Sequence, residues 1–386
     1  MGIQRLPLLI GPWIEPIGSF LGGEKSEMNQ RLIESFMELV RIDSESGGER
    51  PFLVHLQRIL EQELDARCEL DDYGNLLARI EARACSRTEP VVLSNHADTV
   101  KPGCGVVPVE EDGVIRAKGD TILGGDDKAG IAEILEALLS AQKYPPVEWI
   151  VTREEELGLV GAKRFDVSRV RGRLGFLVDS DEIDTIITGG PSHMAIDVEI
   201  KGAGAHAGME PERGISAIQA AAHAISRMRL GRLDSESTAN VGTIQSGTVR
   251  NAIPEKAIIV AECRSLDHQK CLSQADAMKG LFEEGAKAFG ASANVRMELS
   301  CRAMRIPEDA PPIRIALEAI GTCGLKPKTR MITGGTDASV FNEKGIQMAI
   351  LGTGVKKEHT TAEYVRISDM EKAVEVLTTI LALLCQ

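Results

Sequence analysis

The stretch that decides the fold is "DDKAGIAEILEALLSAQKYPPVEWIVTREEELG", residues 126–158. Its apolar residues recur at helical spacing over 131–139, which predicts an amphipathic helix. After two prolines comes a short apolar run, "VEWIVT", which predicts a buried strand. That strand ends in three consecutive glutamates, Glu154, Glu155 and Glu156. A helix that leads directly into a buried strand is typical of an α/β domain with a mostly parallel sheet.

Similar patterns continue on both sides of this stretch. Upstream, "MNQRLIESFMELVRI" and "ERPFLVHLQRILEQEL" predict helices, "CELDDYGNLLARIEA" predicts a hairpin, and "EPVVLSNHADTV" predicts a buried strand. Downstream, "LGFLVDSD" predicts another buried strand. After "TGGPS", residues 188–192, alternating strands such as "MAIDVEIKG" and "KAIIVAECRS" combine with two helices. The α/β pattern then returns and ends in the helix "ISDMEKAVEVLTTILALL".

We therefore expect an α/β fold with a mostly parallel sheet and a smaller inserted α+β domain. The expected insert covers residues 191–302, and the larger domain is discontinuous over 28–190 and 303–386. Residues 1–27 are expected to form a loose N-terminal extension, or to reflect the choice of start codon. Three prolines and a glutamate interrupt this apolar segment, so it predicts neither a signal peptide nor a membrane span.

Composition narrows the class of protein. The chain has 386 residues, of which 43% are hydrophobic, with a formal net charge of −13. This acidic balance argues against nucleic acid or an anionic membrane as a partner and fits a cytoplasmic protein. The eight cysteines are scattered and form no C-x-x-C pair. They are expected to be mostly buried thiols in a reducing compartment.

Acids and histidines fall at the ends of the predicted strands. They are His96 with Asp98, Asp126 with Asp127, Glu154 to Glu156, Asp179 and His359. Each alone has an ordinary explanation, such as a helix N-cap, a turn or a solvated face. Because binding sites in open parallel sheets lie at the carboxyl ends of strands, their recurrence predicts one shared site. Carboxylates and imidazoles are ligands for Zn²⁺, and two adjacent metal ions need a bridging carboxylate.

Six motifs extend this prediction: "HAD", "LGGDDKAGIA", "EEELG", "GAHAG", "GGTDASVF" and "EHTTAEY". Together they resemble the dinuclear-zinc exopeptidase and amidohydrolase family of peptidase T, glutamate carboxypeptidase and the aminoacylases. The resemblance covers residues 28–386, and the second and fifth motifs favour the peptidase T-like branch. It implies a zinc-exopeptidase catalytic domain with an inserted lid or dimerisation domain.

The resemblance also implies a set of metal ligands. His96, Asp126 and Asp179 would hold one ion, and Asp126, Glu156 and His359 the other, with Asp126 as the bridge. Asp126 is preferred to the adjacent aspartate because relatives with a D-x-K element align their single aspartate with the first of the pair. Two Zn²⁺ per chain are expected, and Co²⁺ or Mn²⁺ may replace them.

Catalytic roles follow from the same resemblance. Glu155 would be the general base that takes a proton from the water bridging the two metal ions. Asp98 would orient His96 through its second ring nitrogen. Glu154 is expected to be a bystander, either solvated or in contact with residues around the ligands. His206, in "KGAGAHAGMEP", would lie on the insert and stabilise the oxyanion in the partner's site of a homodimer.

Substrate contacts are expected on the insert and at a glycine turn. The predicted residues are Asn251, Arg264, Gly335 and Thr336. Arg264 would bind a substrate carboxylate, or it would brace the insert through an ion pair with Asp267 or Glu262. The last two residues lie in "TGGTDAS", a turn expected to lead into a helix whose free N–H groups bind a carboxylate.

The leading functional hypothesis is a metal-dependent exopeptidase for short peptides, specifically a tripeptide aminopeptidase. One alternative keeps the metal centre and changes the substrate, giving an N-acyl amino acid amidohydrolase or a carboxypeptidase. A second alternative is a non-catalytic peptide-binding homologue. The second is disfavoured because every expected metal ligand and the base Glu155 are present.

Overall fold

The computed structural model describes residues 25–386. The predicted N-terminal extension therefore lies almost entirely outside the described residues, and the first helix begins at Lys25. The helices of the described part are α1 Lys25–Val40, α2 Arg50–Glu63, α3 Gly125–Ser140, α4 Val160–Arg164, α5 Ala217–Ser226, α6 His268–Ala288, α7 Pro311–Thr322, α8 Asp337–Glu343 and α9 Ile367–Leu383.

The strands form four separate sheets. They are β1 Arg67–Leu70, β2 Leu76–Ile80, β3 Val91–His96, β4 Pro108–Glu111, β5 Val114–Ala117, β6 Val147–Thr152, β7 Leu174–Val178, β8 Thr185–Gly190, β9 Ser192–Lys201, β10 Ala205–His206, β11 Gly231–Arg232, β12 Ser237–Ser246, β13 Ala252–Ile253, β14 Lys256–Ser265, β15 Ser292–Cys301, β16 Met304–Arg305, β17 Lys328–Met331, β18 Gln347–Leu351, β19 Val355–Lys356 and β20 Tyr364–Arg366.

A nine-stranded sheet forms the centre of the larger domain. Its strands follow the order β1-β2-β6-β3-β7-β18-β8-β16, with β17 beside β8. The four strands β6, β3, β7 and β18 run parallel, and antiparallel strands flank them. β3 and β6 are buried along their whole length, as their continuous apolar runs predict. This parallel centre confirms the predicted fold class.

The register of the two central strands sets the position of the site. His96 on β3 pairs with Thr152 on β6, so both strands end at the same level. Helix α3 packs closely against this end of the sheet. A Cβ atom added to Gly130 would lie 2.2 Å from the carbonyl oxygen of Val178, so glycine is required for this approach. The packing brings the start of α3 next to the ends of three strands.

The second domain has its own sheet and core. Its five strands follow the order β11-β12-β14-β9-β15, and α5 and α6 pack on the sheet. Ile196, Ile259 and Phe282 lie in a hydrophobic cluster separate from the main core. Strand β15 was not predicted from the sequence. It lies at the edge of the sheet and many of its residues are exposed, so it lacks an apolar run.

The cysteines differ in part from the prediction. Cys85 and Cys385 form a disulfide, although they are 300 residues apart in the sequence. The other six are free, and four of these are buried, as expected: Cys263, Cys271, Cys301 and Cys323. The disulfide joins two loop-like segments that carry no C-x-x-C signal, so the sequence alone did not indicate it. No helix within residues 25–386 is long and apolar enough to cross a membrane.

Candidate metal centre and active-site cleft

The predicted ligands come together at one edge of the central sheet. His96 is the last residue of β3, and Asp179 directly follows β7. Asp126 lies in the first turn of α3, where its backbone and that of the next residue are not yet helical. Glu156 follows β6, and His359 lies in the turn before β20. Five separate segments thus supply one side chain each to the same small volume.

Asp126 occupies the centre of this group. One carboxylate oxygen lies 3.1 Å from Nε2 of His96, and the other lies 3.2 Å from Nε2 of His359. His359 Nε2 also lies 2.8 Å from Oε1 of Glu156, and His96 Nε2 lies 3.7 Å from Oδ1 of Asp179. Each oxygen of Asp126 therefore faces a different histidine. Each of these histidines also lies near a second carboxylate, that of Asp179 or that of Glu156. A bridging carboxylate between two metal ions requires this arrangement.

The adjacent Asp127 is oriented differently. Its Oδ2 accepts a hydrogen bond of 2.7 Å from Asn95, and its Oδ1 has no hydrogen-bond partner. Ligand-capable atoms of His96, Asp127 and Asp179 lie within 4.8 Å of one another, as do those of His96, Asp126 and Glu156. Asp127 is only 1% exposed, however, whereas Asp126 lines the open cleft. The geometry therefore favours Asp126 as the bridge.

The electrostatics of the group fit divalent cations. Burial raises the pKa of Glu155 well above its usual range. Burial, with repulsion from Asp126, raises the pKa of Asp179 to about 7. Hydrogen bonds to Asp126 and Glu156 raise the pKa of His359 to about 10. In the described part of the chain, no lysine or arginine forms an ion pair with these carboxylates. Oxygen and nitrogen donors that lie this close together without a lysine or arginine partner are what a two-ion site presents.

Asp98 contacts both His96 and the turn that carries the glutamates. The Nδ1 atom of His96 lies 2.9 Å from the backbone oxygen of Asp98 and 3.5 Å from its carboxylate. The carboxylate accepts hydrogen bonds from the backbone N–H groups of Glu155 and Glu156, at 2.9 and 3.2 Å, and from the hydroxyl of Ser46. Asp98 therefore connects the His96 ligand to the turn that carries the glutamates.

The three glutamates have three different surroundings. Glu155 lines the cleft, and Glu156 contacts His359. Glu154 has a φ of +52°, and its carboxylate accepts a hydrogen bond from the Tyr73 hydroxyl. Its backbone N–H donates to Glu49. Glu154 thus contacts neighbouring loops and none of the proposed metal ligands within the described residues.

The group lies at the floor of a cleft of about 390 Å³. Gly335 and Thr336, two of the four residues predicted to contact substrate, line this cleft. Three further charged residues line it that were not predicted: Asp181, Arg330 and Glu358. Glu358 lies inside the motif "EHTTAEY", so its position next to His359 was an available signal. No signal in the sequence pointed to Arg330, because its strand β17 was not predicted.

The residues predicted on the insert do not line this cleft. His206 is exposed, and its Nδ1 accepts hydrogen bonds from the N–H groups of Gly208 and Met209, at 3.2 and 3.1 Å. A ring nitrogen that accepts is unprotonated, so a neutral His206 carries its proton on Nε2. Asn251 lies beside it, since its carbonyl accepts from the N–H of Ala207.

Arg264 connects the two domains. Its guanidinium donates to the carboxylate of Glu262, at 2.9 Å, and to the carbonyl of Thr333, at 3.1 Å. Asp267 instead caps the start of α6 and accepts N–H groups there. The bracing alternative is therefore present with Glu262 and not with Asp267. Thr333 lies two residues before Gly335, so Arg264 links the insert to the cleft-lining turn.

The chain is similar to known proteins over nearly its whole length. Residues 189–289 match the family model described as a peptidase dimerisation domain. The uncharacterised protein YqjE of Bacillus subtilis is 37% identical over 91% of this chain and 98% of its own. Aminopeptidase PepT from Bacillus cereus is 35% identical, with a TM-score of 0.84 over 93% of this chain and 99% of its own.

Two further structures are similar. A tripeptidase from Staphylococcus aureus is 33% identical, with a TM-score of 0.87 over 92% of this chain and 98% of its own. A Bacillus subtilis protein described as a dinuclear metal binding peptidase of the M20 family is 18% identical over 94% of this chain and 99% of its own. Its TM-score is 0.69, and because its sequence identity is low, this similarity shows likeness of fold alone.

Proposed function

The chain belongs to the M20 peptidase family, and we propose that it is a metal-dependent exopeptidase, specifically a tripeptide aminopeptidase of the peptidase T type. The observation that carries this proposal is the position of Asp126, whose two oxygens face His96 and His359 separately. Full-length similarity to an aminopeptidase and a tripeptidase supports short peptides as substrates. The acidic composition supports a place in the cytoplasm.

The proposed cofactor is a pair of Zn²⁺ ions, with Co²⁺ or Mn²⁺ able to replace them. His96, Asp126 and Asp179 would hold one ion, and Asp126, Glu156 and His359 the other. Two bound dications supply Lewis acidity and make water acidic enough to lose a proton near neutral pH. They would also stabilise the ionised form of carboxylates that burial otherwise disfavours.

Glu155 is the proposed general base. Its carboxylate lines the cleft beside the proposed ligands and forms no hydrogen bond to another side chain within the described residues. It would take a proton from the attacking water and pass it to the leaving amine. Asp98 fixes the backbone of this residue and the next, so the base and a ligand keep a constant relative position.

The insert is proposed to span residues 191–302 and to form a homodimer. The match to a peptidase dimerisation domain over 189–289 supports this role. His206 and Asn251 lie together on its surface and outside the cleft, which supports their use in a partner's site. With its proton on Nε2, His206 would donate a hydrogen bond to the oxyanion of the tetrahedral intermediate.

A substrate panel tests the proposal. The enzyme is incubated with Zn²⁺, Co²⁺ or Mn²⁺ and offered tripeptides, dipeptides, N-acyl amino acids and carboxypeptidase substrates. We expect the highest kcat/KM for tripeptides, with cleavage at the N-terminal bond and loss of turnover in Glu155→Ala. Preference for N-acyl amino acids or cleavage at the C-terminal bond would support the alternatives with the same metal centre. Two bound metal ions with no hydrolysis of any substrate would contradict an enzymatic role.

A further inference from the structure

Glu358 is an acid of the cleft that has no ion-pair partner among the described residues. It lies in the turn immediately before His359 and lines the same cavity as Glu155 and Asp126. Its side chain is partly buried, and the charges that act on it are those of Asp126, Asp181 and Lys356. The Lys356 ammonium donates to the backbone carbonyl of Asp181 and forms no ion pair with Glu358 within the described residues. Within the described residues, no lysine, arginine or histidine forms an ion pair with its carboxylate. The arrangement leaves a negative group facing the space where substrate must lie.

The other unassigned acid of the cleft differs from Glu358. Asp181 forms an ion pair with Arg330 through Oδ1, and its backbone carbonyl accepts a hydrogen bond from Lys356. Its charge is therefore compensated within the protein. The remaining cleft carboxylates are the proposed metal ligands and the proposed base. Glu358 is thus the acid of the described cleft whose charge remains available for a ligand.

The chemistry of that ligand follows from the charge and the geometry. A partly buried carboxylate near other acids attracts a cation, and an ammonium group offers three donors to it. An aminopeptidase substrate presents such a group on its first residue, next to the bond that is cleaved. An N-acylated substrate presents a neutral amide at the same position. An N-acyl amino acid carries only a carboxylate, which Glu358 would repel.

We propose that Glu358 binds the α-ammonium group of the peptide substrate, and that it makes the cleft selective for a free N-terminus. This inference rests on the proposed peptidase function and goes beyond it by naming a specificity-determining residue. The role of Glu358 also distinguishes the two reactions that the proposed metal centre could support, peptide hydrolysis at a free N-terminus and hydrolysis of N-acyl amino acids. A cleft with Glu358 suits an aminopeptidase, whereas an amidohydrolase for N-acyl amino acids has no use for this charge.

The test compares one peptide with and without its amine. The holoenzyme loaded with Zn²⁺ is assayed on Ala-Ala-Ala and on N-acetyl-Ala-Ala-Ala, and the ratio of the two kcat/KM values is measured. We expect the wild type to prefer the free peptide. Glu358→Gln should reduce this ratio about 10- to 100-fold, mainly through a higher KM for the free peptide. Glu358→Asp, which keeps the charge, should restore part of the ratio.

Two controls exclude a structural cause. Glu318→Gln makes the same chemical change at an exposed position of α7, away from the cleft, and should leave the ratio at the wild-type value. The metal content of each variant is measured as well, because Glu358 adjoins a proposed ligand. If Glu358→Gln only disturbed His359, both substrates would lose activity together and the ratio would stay constant. That result would overturn the inference.

Inhibition of the wild type gives a second measurement that needs no variant. L-Alaninol carries an ammonium group and no scissile amide, so it should compete with the tripeptide more strongly than N-acetylalaninol does. Equal inhibition by both, or equal hydrolysis of the free and acetylated peptides, would overturn the role of Glu358 while leaving a peptidase. Hydrolysis of neither peptide, nor of any other substrate in the panel, would overturn the proposed function itself.

Discussion

The cleft and the loop around His206 are held in place in different ways. In the cleft, side chains from five segments contact one another around Asp126 and are mostly buried or partly buried. Around His206 the contacts are local, and the side chain is exposed. A single chain thus brings together, by its own fold, the residues proposed to hold the metal ions. The insert's residues need another surface, through domain movement or a partner copy, to reach substrate.

The strongest test of the cleft separates Glu155 from Glu156. Glu155→Gln should lower kcat about 10²- to 10⁴-fold, because it removes the proton acceptor and leaves the ligands in place. Glu156→Gln should weaken metal binding, because an amide replaces a ligand carboxylate. Turnover and bound metal per chain are measured for both variants. Loss of metal in Glu155→Gln equal to that in Glu156→Gln would mean that the two roles are not separate.

The insert loop is tested with His206→Ala. This change should lower kcat about 10²- to 10³-fold, as expected for loss of an oxyanion donor, and leave the metal content unchanged. Mixed dimers then show which subunit supplies the residue. Random mixing of His206→Ala with Glu155→Gln chains should restore about one quarter of the wild-type activity if the donor comes from the partner. No recovery on mixing would indicate that His206 acts within its own chain.

The third glutamate gives a smaller effect. Burial raises the pKa of Tyr73 to about 12, so its hydroxyl is a donor at any physiological pH, and Glu154 accepts from it. Glu154→Gln keeps an acceptor oxygen and should be mild. Tyr73→Phe removes the donor and should lower the free energy of unfolding by about 1 kcal/mol. Denaturant unfolding and kcat are measured together. A larger loss of kcat in Glu154→Gln than in Glu155→Gln would reverse the assignment.

The smallest expected effect is on stability and concerns Glu133, on helix α3. The Glu133 side chain is fully buried and its oxygens have no hydrogen-bond partner, and this burial raises its pKa well above the usual value. The folded state thus holds this proton more tightly than the unfolded state does. Its contribution to stability is present at low pH and is lost as pH rises from about 4.3 through the raised folded pKa.

Glu133→Gln removes this dependence. The melting temperature of the variant relative to wild type should rise by about 2 °C or more between pH 5 and pH 8. The exposed Glu318→Gln serves as the matched control and should show no such trend. A constant difference between variant and wild type across this range would mean that Glu133 does not titrate between the two states.

Much of the fold was predictable because the signals are local. The pattern of "VEWIVT" places a strand where β6 lies, Val147–Thr152, and "DDKAGIAEILEALLSAQ" places a helix where α3 lies. Strands β8 and β15 were not predicted. β8, Thr185–Gly190, ends in two glycines and is buried by the strands beside it rather than by its own pattern. Whether such a segment forms a strand depends on the strands that pair with it, and the periodicity of its own sequence does not reveal them.

For the site, the sequence indicated residue types but not all of their contacts. His96, Asp126, Glu156 and His359 were predicted together, and the structure brings them together. That Asp98 holds the glutamate turn was not predictable, because a hydrogen bond between a carboxylate and distant N–H groups leaves no pattern in the sequence. That Glu358 forms no ion pair within the described residues was also not predictable, since ion pairing depends on which cations lie nearby in space.

The sequence by itself determined the α/β alternation, the inserted domain and the identity of the acids and histidines at the strand ends. Periodicity and residue chemistry are local properties, so the printed order of residues carries them. Only the tertiary structure decided that Glu49 binds Arg153, 104 residues away, and that Glu363 accepts the N–H of Gly124, 239 residues away. Such contacts follow from how helices and strands pack, and packing depends on the whole chain at once.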